Sequence, residues 1–136
     1  MYRLFTGFLG IAAFMLQCGC GTGKYADIKI VIREMIEARE TFVADAERAD
    51  CPRTAALSIT SLESRMKKLG PRYEELEKKY PELLRPEDLP LELKELVAAL
   101  NRTAALRDDA LTNILMRYPD DAAVQKAVSS MGSVYK

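Results

Sequence analysis

Histidine and tryptophan are both absent from this chain of 136 residues. Without histidine there is no Ser-His or Cys-His nucleophile pair and no histidine zinc ligand. The paired Glu-x-x-His of a di-iron bundle and Cys-x-x-Cys-His haem attachment are excluded as well. Aromatics make up only 7% of the residues, too few for a platform on which bases stack. Excess charge is missing too. The 20 basic and 20 acidic residues balance, so no long-range field points to nucleic acid or to an anionic membrane surface. Cysteine is scarce, and Cys18-Gly19-Cys20 is not the C-x-x-C of a zinc or redox motif. A four-ligand site needs a second pair, and only Cys51 remains. No phosphate loop, Gly-x-Ser-x-Gly elbow or run of metal ligands is present. The acidic pairs Asp108-Asp109 and Asp120-Asp121 are adjacent in sequence. On a helix that places their side chains about 100° apart rather than converging. The expectation is a protein that is not an enzyme and uses neither cofactor nor metal.

What is present begins with a leader. Met1-Tyr2-Arg3 supplies a positive start, and Leu4 to Leu16 is an uninterrupted stretch free of charge. This is the charged and apolar pattern of a secretory signal, shorter than the roughly 20 residues of a membrane span. The alternative is an uncleaved anchor in the inner membrane, because Leu4 to Gly23 carries no charge at all. Gln17, Thr22 and the glycines of its last third suit a cleavage region better than a span.

The leader resembles a bacterial lipoprotein signal. In that pattern an apolar run ends in a lipobox, with an aliphatic residue, two small residues and then a lipidated cysteine. Before Cys20, Gly19 is suitably small, but Gln17 takes the aliphatic place and Leu16 lies one position further back. Before Cys18, Leu16 and Met15 fit, but Gln17 is bulky where a small residue belongs. The resemblance implies lipidation at Cys20, with Cys18 as the alternative. It also implies a bacterial envelope location, facing the periplasm or the exterior, and a cysteine that carries diacylglycerol and an N-acyl chain. Buried chains contribute about 0.8 kcal/mol per CH₂, so several of them anchor far more firmly than one myristoyl group. The resemblance covers the leader alone, and no family is suspected for the remainder. The domain boundaries that follow are 1–19 for the signal peptide, 20–24 for the lipid-anchor linker and 25–136 for the helical body.

A disulfide from Cys20 to Cys51 meets a geometric obstacle. Tyr25 to Asp50 reads as one helix about 39 Å long, whereas bridged Cα atoms lie within about 7 Å. Cys51 is expected to be a free thiol at a helix end, the alternative being an intermolecular cross-link.

The body is expected to be all-α: an antiparallel up-down bundle of three long helices and a short C-terminal fourth. In the first helix, apolar residues fall at 28, 31, 32, 35, 38, 42, 43, 46 and 49, a stripe about 160° wide. Cys51-Pro52 makes a turn. Ala55, Ile59, Leu62, Met66, Leu69, Tyr73, Leu76 and Tyr80 then form a heptad seam. Its phase survives Gly70-Pro71, which predicts one long helix with a kink there. Three prolines in Pro81 to Pro90 prevent a regular helix, and Leu83 and Leu84 are candidates to cover the end of the core. Asp88 is the expected cap of a third helix whose seam is Leu93, Val97, Leu100, Ala104, Leu111, Ile114 or Leu115, and Tyr118. Asp120 is the expected cap of the last helix, which carries Val124, Ala127, Val128, Met131 and Val134.

Arg39 and Arg107 interrupt the apolar stripes, and Glu63 of the second helix falls at a similar height. One reading is a polar layer, Arg39–Glu63–Arg107, that sets register or holds an anionic ligand. The other is two arginines that snorkel from the seam edge with their heads in water. For the whole chain the first expectation is a non-catalytic, membrane-anchored module of unknown role that contacts a protein partner close to the bilayer. The alternative is a carrier of a small ligand or lipid in a groove that the short fourth helix leaves open.

Overall fold

Each stretch with a 3.6-residue apolar period forms one helix in the computed structural model, which describes residues 23–132. The signal peptide, Cys18, Cys20, most of the linker and Val134 lie outside the described residues. The helices are α1 (Ala26–Arg48), α2 (Pro52–Lys79), α3 (Leu91–Arg117) and α4 (Ala122–Met131). Two 3₁₀ turns, Pro81–Leu84 and Pro86–Asp88, join α2 to α3. No described helix is long and apolar enough to cross a membrane.

Prolines set the boundaries. A residue before proline avoids the helical region, and Cys51 is extended at φ −145°, ψ 163°, so α1 has already ended when Pro52 opens α2. The Cys51 N–H donates to Thr54 Oγ1 at 3.3 Å, which helps to close the α2 start. Pro71 lies inside α2 without ending it, as the unbroken seam predicts. Pro81 and Pro119 each follow a tyrosine at which a helix stops.

α1 is packed on two sides, by α2 and by α3, while α4 packs on α2. Its stripe is buried from Ile28 to Ala49, with Val43 alone half-buried. Contacts to α2 descend as α1 climbs: Asp27 meets Lys79 at 2.6 Å, Glu34 meets Arg72 at 2.6 Å, and Thr41 meets Arg65 at 3.5 Å. Contacts to α3 climb with α1: Lys29 pairs with Glu92, Arg39 reaches the Leu100 carbonyl at 2.7 Å, and Arg117 reaches the Ala46 carbonyl at 2.8 Å. The α2 seam is buried from Ala55 to Leu69, half-buried at Tyr73 and Leu76, and buried again at Tyr80.

Three local expectations are corrected. Asp88 does not cap α3. It lies in the second 3₁₀ turn, and Pro90, extended at φ −55°, ψ 141°, itself leads the chain into the helix. Asp121, not Asp120, caps α4, its Oδ1 accepting from Ala123 N at 2.9 Å and Val124 N at 3.0 Å. The reason is that Tyr118 to Asp121 forms a turn, closed by Asp121 N to the Tyr118 carbonyl at 3.4 Å, which uses Asp120 as a corner. Leu83 covers the core end, but Leu84 is 65% exposed. Asp121→Ala is therefore expected to cost about 1 kcal/mol in urea unfolding, whereas Asp120→Ala stays within about 0.5 kcal/mol.

The buried face of α3 is also turned relative to the expected seam. Leu93, Leu100 and Ile114 are buried as expected, but Thr103 and Ala110 complete the face, and Val97, Ala104 and Leu111 are only half-buried. Small side chains at Thr103 and Ala110 let α3 approach α1, its principal neighbour. The Thr103 hydroxyl is satisfied by its own helix, donating to the Leu100 carbonyl at 3.0 Å.

Candidate functional site

The three polar residues of the expected layer make different contacts. Arg39 is only 7% exposed, so its head does not reach water as a snorkelling arginine's would. Its Nη1 donates to the Leu100 carbonyl of α3. Its charge is also felt by Tyr73 of α2, whose hydroxyl is pushed up to about 12, first by burial and then by Glu77, with Arg39 acting in the opposite sense. Glu63 is buried and accepts hydrogen bonds from Lys67 and, at 2.7 Å, from Ser130 of α4. Those two donors hold its carboxyl below the usual range. Arg107 grips Asp108 Oδ1 with Nε at 2.9 Å and Nη2 at 2.7 Å. Arg39 thus links α1 to α3 and Glu63 links α2 to α4, while the described partner of Arg107 lies on its own helix.

A trough of about 650 Å³ runs between the C-terminal halves of α1 and α3. Ala46 and Ala110 form its floor, because two small side chains at the interface leave the space above them unfilled. Val43, Leu106 and Met116 supply its apolar walls, with Leu106 47% and Met116 75% exposed. Glu47 and Asp109 line it as well, and a smaller depression along Val43 and Leu106 extends it to Glu40. Arg117 bounds one end and is itself held by the Ala46 and Ala49 carbonyls at 2.8 and 3.2 Å, at the C-terminal end of α1, where carbonyls run out of intrahelical partners. The trough is therefore apolar in its floor and walls and carries three carboxylates along its length.

At the opposite end of α1 a cluster pins the start of the body. The Tyr25 hydroxyl donates to Glu82 Oε1 at 2.6 Å, and Lys24 approaches the same oxygen at 3.2 Å. The Tyr80 hydroxyl lies 2.5 Å from the Lys24 carbonyl and 2.9 Å from Asp27 Oδ1. The two tyrosine rings pack with centroids 5.1 Å apart. The Tyr25 hydroxyl, more than any other group, holds Glu82 down to about 2, and Lys79 chiefly holds Asp27 low. In the unfolded chain these carboxyls titrate near 4.3 and 3.9, so their stabilisation is complete above about pH 5 and is lost as pH falls towards the folded values. Tm is expected to fall on acidification from pH 5 to pH 2.5. In Tyr25→Phe the fall should be shallower, because Glu82 then titrates closer to its unfolded value. Equal slopes in thermal melts of the two proteins would remove this cluster as the cause.

The sequence reading missed both the trough and this cluster. The isolated tyrosines beside Lys24 and Pro81 were the available signal for the cluster. Comparison with protein-family models, with curated proteins and with solved structures finds no match to this chain.

Proposed function

We propose that this chain is a bacterial envelope lipoprotein, anchored through Cys20, whose body is an antiparallel up-down bundle that acts by protein contact and without catalysis. The α1–α3 trough is the observation that carries the interaction reading. It is partly open to solvent, its walls are apolar, and Glu40, Glu47 and Asp109 flank them. That chemistry suits an amphipathic helix of a partner, with an apolar stripe in the trough and basic residues beside it. The order of the α1 contacts to α2 and α3 supports the up-down arrangement. The charged start and apolar run of the leader support the anchor. Val43 lies about 27 Å beyond Tyr25 along α1, so a bundle standing on its anchor would present the trough well clear of the headgroups.

A photo-crosslinking residue at Met116, introduced in cells, tests this reading. The expected product is one discrete protein adduct, absent from the same probe at Leu57, which is exposed but lies outside the trough. A Leu106→Glu change in the Met116 probe strain should reduce the adduct at least about fivefold, since a buried charge opposes docking. An adduct of lipid mass would instead select the carrier reading, and no adduct at all would sink both.

A further inference from the structure

Large apolar side chains are exposed at six described positions. Leu106 and Met116 belong to the trough. Leu84, 65% exposed, and Leu91, 84% exposed, both stand at the end of the body where the chain begins. Leu84 closes the 3₁₀ turn whose Glu82 receives the Tyr25 hydroxyl. Leu91 opens α3 beside Glu92, which pairs with Lys29. Between them, Pro86 and Pro90 restrict the backbone, so the two leucines are presented from a stiff connection. Four ion pairs lie around them, Lys24–Glu82, Lys79–Asp27, Lys29–Glu92 and Arg85–Asp88, and the exposed Glu87 between the two leucines adds a negative charge. This end therefore offers apolar surface without a net positive field.

Chain length says what covers it. Cys20 lies three residues before Gly23, where the described structure starts, and an extended chain spans at most about 3.5 Å per residue. An acylated Cys20 would hold Gly23 within about 11 Å of the lipid interface. Glu82 is tied to Lys24 and Tyr25, so the Leu84 turn is held at the same end. We infer that this end is a lipid-binding seat in which Leu84 and Leu91 enter the boundary between headgroups and acyl chains, so that the bundle stands on the bilayer with the trough directed away from it. The inference rests on the lipid-anchor reading of Cys20. The acyl chains already secure the protein, so the leucines set orientation rather than residence. Without a net positive field, the seat gains nothing from anionic lipid.

The chain has no tryptophan, so single Trp probes report without background. Leu84→Trp, Leu91→Trp and Leu57→Trp forms of the full protein, extracted from membranes, are reconstituted into phosphatidylcholine vesicles with brominated acyl chains. Far-UV circular dichroism checks the fold, and mass spectrometry checks the acyl mass on the same samples. Trp at 84 and 91 should be quenched at least about twofold by bromine in the acyl region, and Trp at 57 should not. With acyl mass present, no quenching at 84 and 91 beyond that at 57 overturns the seat and leaves the anchor standing. Equal quenching at all three positions overturns the end-on orientation. Absence of acyl mass overturns the anchor, and the seat with it.

Discussion

Phe42→Ala is expected to destabilise the body by about 3–5 kcal/mol, the usual range for removing a buried aromatic ring. Phe42 is 2% exposed and sits in the C-terminal half of α1, the helix packed between α2 and α3. α1 cannot move towards one neighbour without drawing away from the other, so relaxation is poor and the cavity persists. Total stability of a domain this size is about 5–15 kcal/mol, so the loss is a large share of it. At about 4–8 °C per kcal/mol, Tm should drop by at least about 12 °C. Val43→Ala, one residue on, is the internal control. Its side chain is half-buried and faces the trough, so the expected cost is below about 1.5 kcal/mol. Urea unfolding of both variants decides the matter. Similar costs at the two positions would mean that α1 does not bury one face and open the other.

The second large effect is chemical. Cys20→Ser should abolish the acyl mass on the protein, whereas Cys18→Ser should leave it intact. The argument is steric, since Gly19 before Cys20 is small and Gln17 before Cys18 is not. Membrane fractionation alone does not decide this. A retained leader still offers Leu4 to Leu16 to the bilayer, at about 25 cal/mol for each Å² removed from water. Mass spectrometry of the N-terminal peptide is the appropriate readout. Acyl mass that survives Cys20→Ser and disappears in Cys18→Ser would transfer the anchor to Cys18. With Cys18 removed together with the leader, Cys51 would be the remaining thiol of the mature chain, and in the structure it is a free, half-buried cysteine at the start of α2.

The sequence by itself determined the helices. A helix is made by hydrogen bonds four residues apart, and its buried side by a period of 3.6, so both are written locally. The stripe of α1 and the seam of α2 through Pro71 were readable for that reason, and so were the stops at Tyr80 and Tyr118. Tertiary structure decided what depends on a distant neighbour. The face of α3 turned to bring Thr103 and Ala110 against α1, and Leu83 went inward while Leu84 faced out. The bonds from Arg39 to Leu100, Tyr25 to Glu82 and Glu63 to Ser130 each join residues more than fifty positions apart. No local period encodes such pairs, because they arise only when helices made separately are laid side by side. The trough has the same origin: Ala46 and Ala110 are ordinary helix residues until the packing sets them opposite each other.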